Sequence, residues 1–582
     1  MGLVVVPSIL GSSARELKTQ NEQDGGILKK FPQNYFVAPT DSVLNIAGNF
    51  GEIRPNHFHA GLDVKTAGRE GLSVYAAADG YVSRIRISPF GYGKCLYITH
   101  PNGFVTVYAH LQRLYGKVAD YLKDQQYKLE SYEVDLYLDK NILPVKQCDI
   151  IAISGNTGGS QSPHLHFEVR DEKTEHAYNP FLFGYKIPDT VPPVISLLKI
   201  YTASDSSTVN EQNLAKKIGV FGRKGKYNIP AQPIILNGDI GFGIETIDYG
   251  NVKEAGKYGA YSIDLYVDNK RIYYHELNEI GFEESRYINA HIDYSESEKS
   301  GRQIQQCFRD ENNMLSIYQC VVNEGLYRFD DEAIHGIKFI VKDFFGNSSQ
   351  LSFQVKSKKS KPQLILHEDI HKSILHWDCC QQNIYETENV KVLVDPCGLY
   401  EDIDFKYSIS NDTLPGNYSP IHTIQNEEVP LHTPLNISIK TKPIPLALQS
   451  KATIVWLDGA GAKKDQKGVY ANGWVTAQAK SFGRFTVVVD TVAPSIKPNN
   501  IFNGKNCSHA KIISLLVSDN LTGIKSYRAT IDGKWVLMEF EYKKAMLFYE
   551  FGEEVGQGKH TFEITVCDGK NNARVYKAKF TR

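Results

Sequence analysis

A stiff, proline-containing connector occurs twice in the chain and constrains its fold more than any other sequence feature. Residues 189–193 (DTVPP) and 490–494 (DTVAP) have nearly the same residue types, and proline fixes its own φ and restricts the residue before it. A second pattern also recurs, because a strand-like run ends in a turn of Asp, Gly and Asn at residues 341–347 and again at 566–571. Both repeats indicate separate modules joined by extended links.

Length and composition bound the class of protein. The chain has 582 residues, which corresponds to about four domains at roughly 150 residues each. Hydrophobic residues make up 42% and charged residues 23%, as in ordinary globular proteins. The net charge of −1 argues against a dedicated binder of nucleic acid or anionic membranes. No apolar run of 18 residues occurs, so we expect no transmembrane segment.

The local patterns favour a mainly β fold. Abundant Tyr, Phe and Gly favour strands and turns. Residues 512–518 alternate between apolar and polar side chains, and Asp532-Gly533 is a hairpin turn signal. Only residues 117–128 have clear helical spacing. The expected divisions are a spacer segment at 1–30, a domain at 31–187 with a helical insertion at about 114–143, a β-sandwich at 188–358, a β-rich module at 359–489 and an immunoglobulin-like module at 490–582.

Two features concern the cellular compartment. Residues 3–10 are apolar and small residues follow them, as in the core and cleavage region of a signal peptide. Since no basic residue precedes Arg15, the alternative is a frayed or buried N-terminal segment. The nine cysteines are an odd number without zinc-ribbon spacing, which argues against a full disulfide framework. Cys307–Cys320 is the bridge that is easiest to form.

The histidines between residues 57 and 176 carry the chemistry. His59 and Asp63 are four residues apart with Gly61 between them, so a bend in the chain lets both reach one ion. His164 and His166 share one face if they lie in a strand. Alternation in residues 104–110 predicts that Thr106, Tyr108 and His110 also share a face.

Imidazole and carboxylate groups are typical ligands of a zinc ion that keeps one position open for water. Such an ion lowers the pKa of water and polarises a carbonyl group, and histidines beside it can move protons and stabilise an oxyanion. Each motif alone is weak, because an isolated histidine is more often a surface or core residue.

Together with their surroundings, these motifs are highly specific. From about residue 47 to 183 the chain resembles the lysostaphin-type (LytM-like) zinc endopeptidases of bacterial cell-wall metabolism. In the family's order it contains GNFG at 48–51, HAGLD at 59–63, VYAAADGYV at 74–82, GYG at 91–93, ITHPNG at 98–103, VYAHL at 107–111, SGNTGGS at 154–160 and PHLHFEVR at 163–170.

The resemblance implies a small antiparallel β-sheet peptidase domain at 31–187 and one zinc ion per chain. It implies that His59, Asp63 and His166 are the zinc ligands. His110 and His164 would be the catalytic pair. Two departures from the family pattern are the long stretch at 114–143, which could wall the groove, bind a partner or inhibit access, and Cys148, which stands where a Gly-containing turn is common and is expected to be a small packed residue.

Competing metal ligands remain open. His57 is two residues from His59, although the Gly-Leu-Asp context favours His59. Residues 367–371 (HEDIH) have the helical zincin pattern, but they follow a Lys/Pro linker and lack an evident third ligand.

The main hypothesis is therefore an exported zinc endopeptidase that cuts peptidoglycan peptides in the periplasm or cell envelope. Its C-terminal modules would position it or bind other envelope proteins. The alternative is a non-catalytic or latent peptidoglycan-binding regulator of another cell-wall hydrolase, which is favoured if residues 31–47 or 114–143 block the groove. A structural or adhesive protein with a vestigial enzyme domain is a third reading, which the complete ligand set disfavours.

Overall fold

In a computed structural model, the chain is described at residues 31–41, 44–251, 256–359, 375–410 and 416–582. The apolar segment interpreted as a signal peptide and the 367–371 pattern lie outside these residues. The prediction of a mainly β fold is confirmed, since 48% of the chain is strand and 8% is helix. Among the described residues, no helix is long and apolar enough to cross a bilayer.

The N-terminal domain (residues 31–187) is built on an antiparallel sheet of 12 strands, one of which comes from the following module. Its strands are Ile46–Gly48, Leu62–Lys65, Ser73–Tyr75, Gly80–Ile87, Lys94–Thr99, Phe104–Leu114, Val134–Tyr137, Pro144–Val145, Ile150–Ser154, His164–Asp171, Ala177–Tyr178 and Glu279–Ile280. A separate hairpin pairs Ile53–Arg54 with His57–Phe58.

One face of this sheet holds the main core of the domain. Leu165, Phe167 and Val169 alternate into a buried apolar cluster, so the residues between them point to the opposite face. The predicted helix is present and runs from Gly116–Leu129. A 3-10 turn at Pro180–Phe183 closes the core, and its N-cap Asn179 accepts a hydrogen bond from the Phe181 amide.

The second module (residues 194–357) forms a 14-stranded sheet system with its own core. Its strands are Val194–Thr202, Thr208–Val209, Lys216–Gly219, Phe221–Arg223, Lys226–Asn228, Ile235–Tyr249, Lys257–Tyr258, Ser262–Val267, Lys270–Glu276, Ile304–Gln306, Tyr318–Val321, Tyr327–Phe329, Ile334–Lys342 and Ser348–Ser357. Its short helices are Ile288–His291 and Tyr294–Ser300, with 3-10 turns at Ser285–Tyr287 and Asn323–Gly325.

The third module (residues 375–489) has two five-stranded sheets and a two-stranded ladder around a separate core. Their strands are Asn383–Glu386, Val390–Val394, Leu435–Lys440, Trp474–Ala479 and Val469–Ala471, then Tyr407–Ser410, Ile421–Ile424, Gly483–Val489, Ala452–Leu457 and Lys463–Asp465, and finally Leu375–Trp377 with Ile403–Phe405. Leu446–Gln449 is a single helical turn.

The C-terminal module (residues 495–582) pairs a four-stranded with a five-stranded sheet over a fourth core. The strands are Ser495–Pro498, Ile512–Ser518, Met546–Glu550 and Glu539–Glu541, then Lys505–Asn506, Ala573–Thr581, Lys559–Asp568, Ile524–Ile531 and Lys534–Trp535. A 3-10 turn lies at Tyr542–Lys544.

The predicted insertion at 114–143 is an attachment point for the C-terminal module. Tyr127, on the Gly116–Leu129 helix, donates a hydrogen bond to Glu554 at 2.9 Å, and its ring lies 5.2 Å from that of Trp535. Arg528 forms an ion pair with Glu130 at the end of the same helix. The last module therefore folds back onto the first domain.

All nine cysteines are free thiols, so the Cys307–Cys320 bridge does not form in this structure. Cys148 is exposed, so the expectation that it is a packed residue is wrong. It lies in a turn with left-handed backbone geometry, at a φ of 69°, and its side chain faces solvent there.

The bend at Gly61 generates a test of the fold. A Cβ atom at this position would lie 2.3 Å from the backbone oxygen of Phe167. We expect Gly61→Ala to lower the opening free energy of strand Leu62–Lys65 by about 1–3 kcal/mol, because overpacking displaces the neighbouring strand. Native-state hydrogen exchange measures this quantity. The matched control is Gly219→Ala, where nothing lies within 4 Å of the added Cβ. Equal protection of the strand in both variants would contradict the close approach.

Candidate metal centre

The site is assembled by one antiparallel register. Strand His164–Asp171 lies between Leu62–Lys65 and Phe104–Leu114, and His166 is directly opposite Asp63 on one side and Ala109 on the other. Residues opposite each other in an antiparallel pair project to the same face. The register thus places Asp63 and His166 side by side on the face away from the main core.

Three donor atoms converge at this point. His59 Nε2 lies 2.9 Å from Asp63 Oδ1 and 3.0 Å from His166 Nδ1. His166 Nδ1 lies 3.0 Å from the same Asp63 oxygen. All three residues are buried, with 4–7% of their surface exposed. The structure therefore brings together the three residues that the resemblance implied as ligands.

His59 is oriented by a contact that reaches into the second module. Its Nδ1 donates to the Asn49 carbonyl at 2.7 Å, which leaves Nε2 to face Asp63 and His166. The Asn49 side chain in turn donates to the Gly259 carbonyl at 2.8 Å and accepts from the Gly259 amide at 2.9 Å. One module thereby fixes the ring of a candidate ligand in another.

His110 reaches the site through a β-bulge, which corrects one expectation. His110 lies on strand Phe104–Leu114, which pairs with strand Lys94–Thr99. Lys94 is opposite Leu111 and Leu96 is opposite Tyr108, so the two residues Ala109 and His110 face the single residue Cys95. His110 has a positive φ of 58°. The bulge turns its side chain away from the Tyr108 face and onto the His166 face. The prediction that Tyr108 and His110 share a face is therefore wrong.

His110 and His164 flank the cluster. Their ring centroids are 4.9 Å apart, and His110 is 5.9 Å from His166. His110 Nδ1 donates to the Thr157 carbonyl at 2.8 Å, and His164 Nδ1 donates to the Ser162 carbonyl at 2.8 Å. Each ring therefore turns Nε2 away from these carbonyls, and His164 Nε2 lies 3.2 Å from Asp63 Oδ1. Burial and the neighbouring His166 and His164 lower the pKa of His110 to about 3, which keeps it neutral.

A buried charge network supports His166 from behind. Its Nε2 lies 2.7 Å from Glu168 Oε1, and Arg170 pairs with the other Glu168 oxygen. Tyr92 donates a hydrogen bond to Glu168 at 2.5 Å. Burial opposes the charge on Glu168, but Arg170 and His166 lower its pKa to about 2. A carboxylate that accepts a hydrogen bond from the second imidazole nitrogen fixes the ring orientation and its tautomer. Many metal-bound histidines have such a carboxylate behind them.

Asp63 carries the negative charge of the cluster. Burial alone would raise its pKa, yet His59 and the hydrogen bonds from His164, His166 and His59 hold the pKa well below its usual value. Arg54 contacts its second oxygen, Oδ2, at 3.0 Å. Oδ1 faces the histidines, and Oδ2 faces the guanidinium.

This donor set fits zinc. Two imidazole nitrogens and one carboxylate oxygen are ligand types of a catalytic zinc site. Their separations of 2.9–3.0 Å are close to the edge of about 3.3 Å in a tetrahedron with zinc–ligand bonds of about 2.0–2.1 Å. All three residues are buried, and the contact of Glu168 with His166 holds the imidazole ring in one orientation, as a metal site requires.

Other sequence candidates lie elsewhere. His57 is exposed, and its Nδ1 contacts the Pro55 carbonyl at 2.9 Å. His100 is buried between the Asp79 carbonyl and Thr106 Oγ1. Sequence reasoning missed Asn49, Arg54 and the supporting role of Glu168. Of these, Glu168 carried a signal, because it follows His166 by two residues and so shares its face.

Fold and site together define a class of protein: a β-sheet domain with a buried His-Asp-His cluster of the kind that binds a catalytic metal ion. Residues 57–127 match the family model described as Peptidase family M23, and the predicted resemblance to the lysostaphin-type peptidases is thereby confirmed. This match contains His59, Asp63 and His110 and ends before His164. Residues 372–490 match a model described as a Zu5-like domain.

Individual relatives agree with the family match. An uncharacterized metalloprotease of Haemophilus influenzae is 32% identical over 118 residues, which cover 20% of this chain and 19% of the relative. The peptidoglycan DD-endopeptidase ShyA of Vibrio cholerae is 30% identical over 154 residues, covering 25% of this chain and 29% of the relative. The chain thus spans less than a third of these curated relatives. The catalytic domain of lysostaphin from Staphylococcus simulans is 25% identical and covers 23% of this chain and 88% of that domain, with a TM-score of 0.18.

Metal content tests the cluster. We expect about one zinc ion per purified chain, and Asp63→Ala loses it, because the carboxylate joins both imidazoles. Inductively coupled plasma mass spectrometry measures the ratio. His57→Ala is the matched control, since it removes an exposed histidine outside the cluster, and it should retain the ion. Zinc loss from His57→Ala, with retention in Asp63→Ala, would assign the ion to other residues.

Proposed function

We propose that the chain is a zinc-dependent endopeptidase that hydrolyses peptide bonds in peptidoglycan cross-links or stems during cell-wall remodelling. The observation that carries this proposal is the convergence of His59, Asp63 and His166 with His110 and His164 beside them. A binding module has no need of two further histidines held with their Nε2 atoms turned from their carbonyl partners. This complete arrangement is what acyl hydrolysis requires.

The five side chains of the site have different roles in the proposed mechanism. His59, Asp63 and His166 would hold the zinc ion, which would supply Lewis acidity to a carbonyl oxygen and lower the pKa of water. His110 is neutral with its Nδ1–H bound to Thr157, so its Nε2 is positioned to accept a proton from the attacking water. His164 Nδ1 already donates to the Ser162 carbonyl, so His164 would donate from Nε2 to the oxyanion as the doubly protonated imidazolium. Thr157 and Ser162 hold both rings in these orientations.

The substrate class and location rest on the relatives. The name of ShyA describes a peptidoglycan DD-endopeptidase, which supports a peptide of the cell wall as the substrate here. We therefore propose the periplasm or cell envelope of a bacterium as the location, because a cell-wall substrate lies there. The second, third and C-terminal modules would then orient the peptidase domain or contact other envelope proteins.

Digestion of intact peptidoglycan tests the activity. We expect the purified protein to remove cross-linked dimers, as detected by mass spectrometry of the released fragments. His110→Ala should slow this release by about 10²–10⁴-fold, because it removes a proton-transfer group, while its zinc content stays unchanged. His57→Ala should digest at the wild-type rate. No release by the wild type would contradict the endopeptidase and favour a non-catalytic regulator of another hydrolase.

A second candidate function is that of a latent or non-catalytic protein that binds peptidoglycan and regulates another cell-wall hydrolase. One observation favours it: the C-terminal module contacts the loop that carries the partners of both flanking histidines. Lys543 donates to the carbonyls of Asn156 and Ser160, and Ser160 Oγ lies 3.2 Å from His164 Nδ1. Glu539 also pairs with Lys94 at 2.7 Å.

Releasing this contact distinguishes restraint from support. If the C-terminal module restrains the loop, Lys543→Ala raises the rate of dimer loss by up to about fivefold, because an exposed charged contact contributes about 1 kcal/mol. Initial rates on intact peptidoglycan measure the effect. Lys544→Ala is the matched control, an exposed neighbouring lysine. An unchanged or lower rate in Lys543→Ala would contradict latency through this module.

A further inference from the structure

Each of the two repeated connectors begins at a cluster of three carboxylates. In the first cluster, Asp189, Asp248 and Asp343 each place one oxygen within 4.8 Å of the others. In the second, Asp490, Asp519 and Asp568 do the same. Neither cluster shares a residue with the candidate metal centre.

The first cluster is built from three separate parts of the fold. Asp189 begins the connector, and Asp248 lies near the end of strand Ile235–Tyr249. This strand pairs with Val194–Thr202, the first strand after the connector. Asp343 directly follows strand Ile334–Lys342. Tertiary folding, and not local sequence, brings these carboxylates together.

The second cluster repeats the same construction. Asp490 begins its connector, and Asp519 directly follows strand Ile512–Ser518. That strand pairs with Ser495–Pro498, the first strand after the connector. Asp568 ends strand Lys559–Asp568. The two clusters are therefore structural equivalents in different modules.

An asparagine locks each cluster in the same way. Asn347 Nδ2 donates to Asp343 Oδ2 at 2.6 Å and to the Asp189 carbonyl at 3.3 Å. Asn572 Nδ2 donates to Asp568 Oδ2 at 2.7 Å and to the Asp490 carbonyl at 3.0 Å. Each amide holds one carboxylate of the cluster against the connector backbone.

The side chain of Asp248 gives a second, independent indication of a cation site. Only 2% of its surface is exposed, and within the described part of the chain its Oδ1 has no hydrogen-bond partner. Buried polar atoms are normally paired. Burial and the nearby Asp343 and Asp189 raise the pKa of Asp248 to about 8. A cation bound between the three carboxylates would offset this repulsion.

The second cluster is partly neutralised by a lysine. Asp519 Oδ1 also lacks a partner among the described residues. Burial lowers the pKa of Lys570, while Asp465, Asp490 and Asp568 act to raise it, so its ammonium group senses the cluster. Its Nζ atom is engaged with the Gly468 carbonyl. The first cluster is therefore the stronger of the two.

We propose that Asp189, Asp248 and Asp343 bind a hard divalent cation of the calcium class, and that Asp490, Asp519 and Asp568 form an equivalent site. All of the candidate ligand atoms are carboxylate oxygens. Ca²⁺ prefers oxygen ligands, which carboxylates, backbone carbonyls and water supply in flexible geometry. Zinc prefers nitrogen and sulfur. The sites are independent of the proposed peptidase activity. Each ion ties a connector to two strands of the module that follows, and thereby fixes the angle between neighbouring modules.

Calcium binding to the full-length protein tests the proposal. After EDTA treatment, the wild type is titrated with CaCl₂ into the millimolar range, where extracellular calcium modules bind, and bound ions are counted by native mass spectrometry. We expect two Ca²⁺ ions per chain, one for each cluster. Asp248→Asn and Asp519→Asn should each lose one ion. Asp205→Asn changes an exposed aspartate of the second module and should lose none.

Thermal stability gives a second readout that does not depend on ion counting. In EDTA at a pH above the Asp248 pKa of about 8, Asp248→Asn should melt above the wild type, because it removes a buried like charge. Calcium should raise the melting temperature of the wild type and raise it less in Asp248→Asn. No calcium uptake by the wild type, preference for Mg²⁺ over Ca²⁺, or full stoichiometry in both variants would each overturn the proposal. If Asp248→Asn fails to fold, the wild-type titration and Asp519→Asn decide the question.

Discussion

The cross-strand pair of Asp63 and His166 is the interaction on which the candidate active site depends. Both residues face away from the main core because Leu165 and Phe167 face into it. A slip of one residue in this register would turn every side chain of the strand to the other face. The apolar alternation of strand His164–Asp171 therefore secures the metal-binding geometry as well as the fold.

Electrostatics explains how so much charge is buried in one place. Asp63 lies among three histidines and Arg54, and Glu168 lies between His166 and Arg170. Each of the two carboxylates contacts an arginine and at least one imidazole, so each buried negative charge has partners and the cost of desolvation is offset. Such a network leaves the candidate ligands little freedom to rearrange, and this preorganisation favours binding of a metal ion.

The site was largely predictable from the sequence because its motifs are local. The spacing of His59 and Asp63, the His164-Leu165-His166 alternation and the helix at 117–128 all depend on near neighbours. The face of His110 was not predictable, since it depends on a bulge opposite a different strand. The contacts of Asn49 with Gly259 and of Lys543 with Ser160 join residues hundreds of positions apart. For the same reason the connector repeats were visible in the sequence, whereas Asp248 and Asp519 were not.

One zinc ion is expected among His59, Asp63 and His166. Anomalous X-ray diffraction from crystals of the purified protein, collected on both sides of the zinc absorption edge, would locate it. We expect a zinc peak within bonding distance of His59 Nε2, Asp63 Oδ1 and His166 Nδ1. Among the described residues, Asp378, Cys379 and Cys380 also cluster. A zinc peak there, with none at His166, would show that His59, Asp63 and His166 are not the zinc ligands.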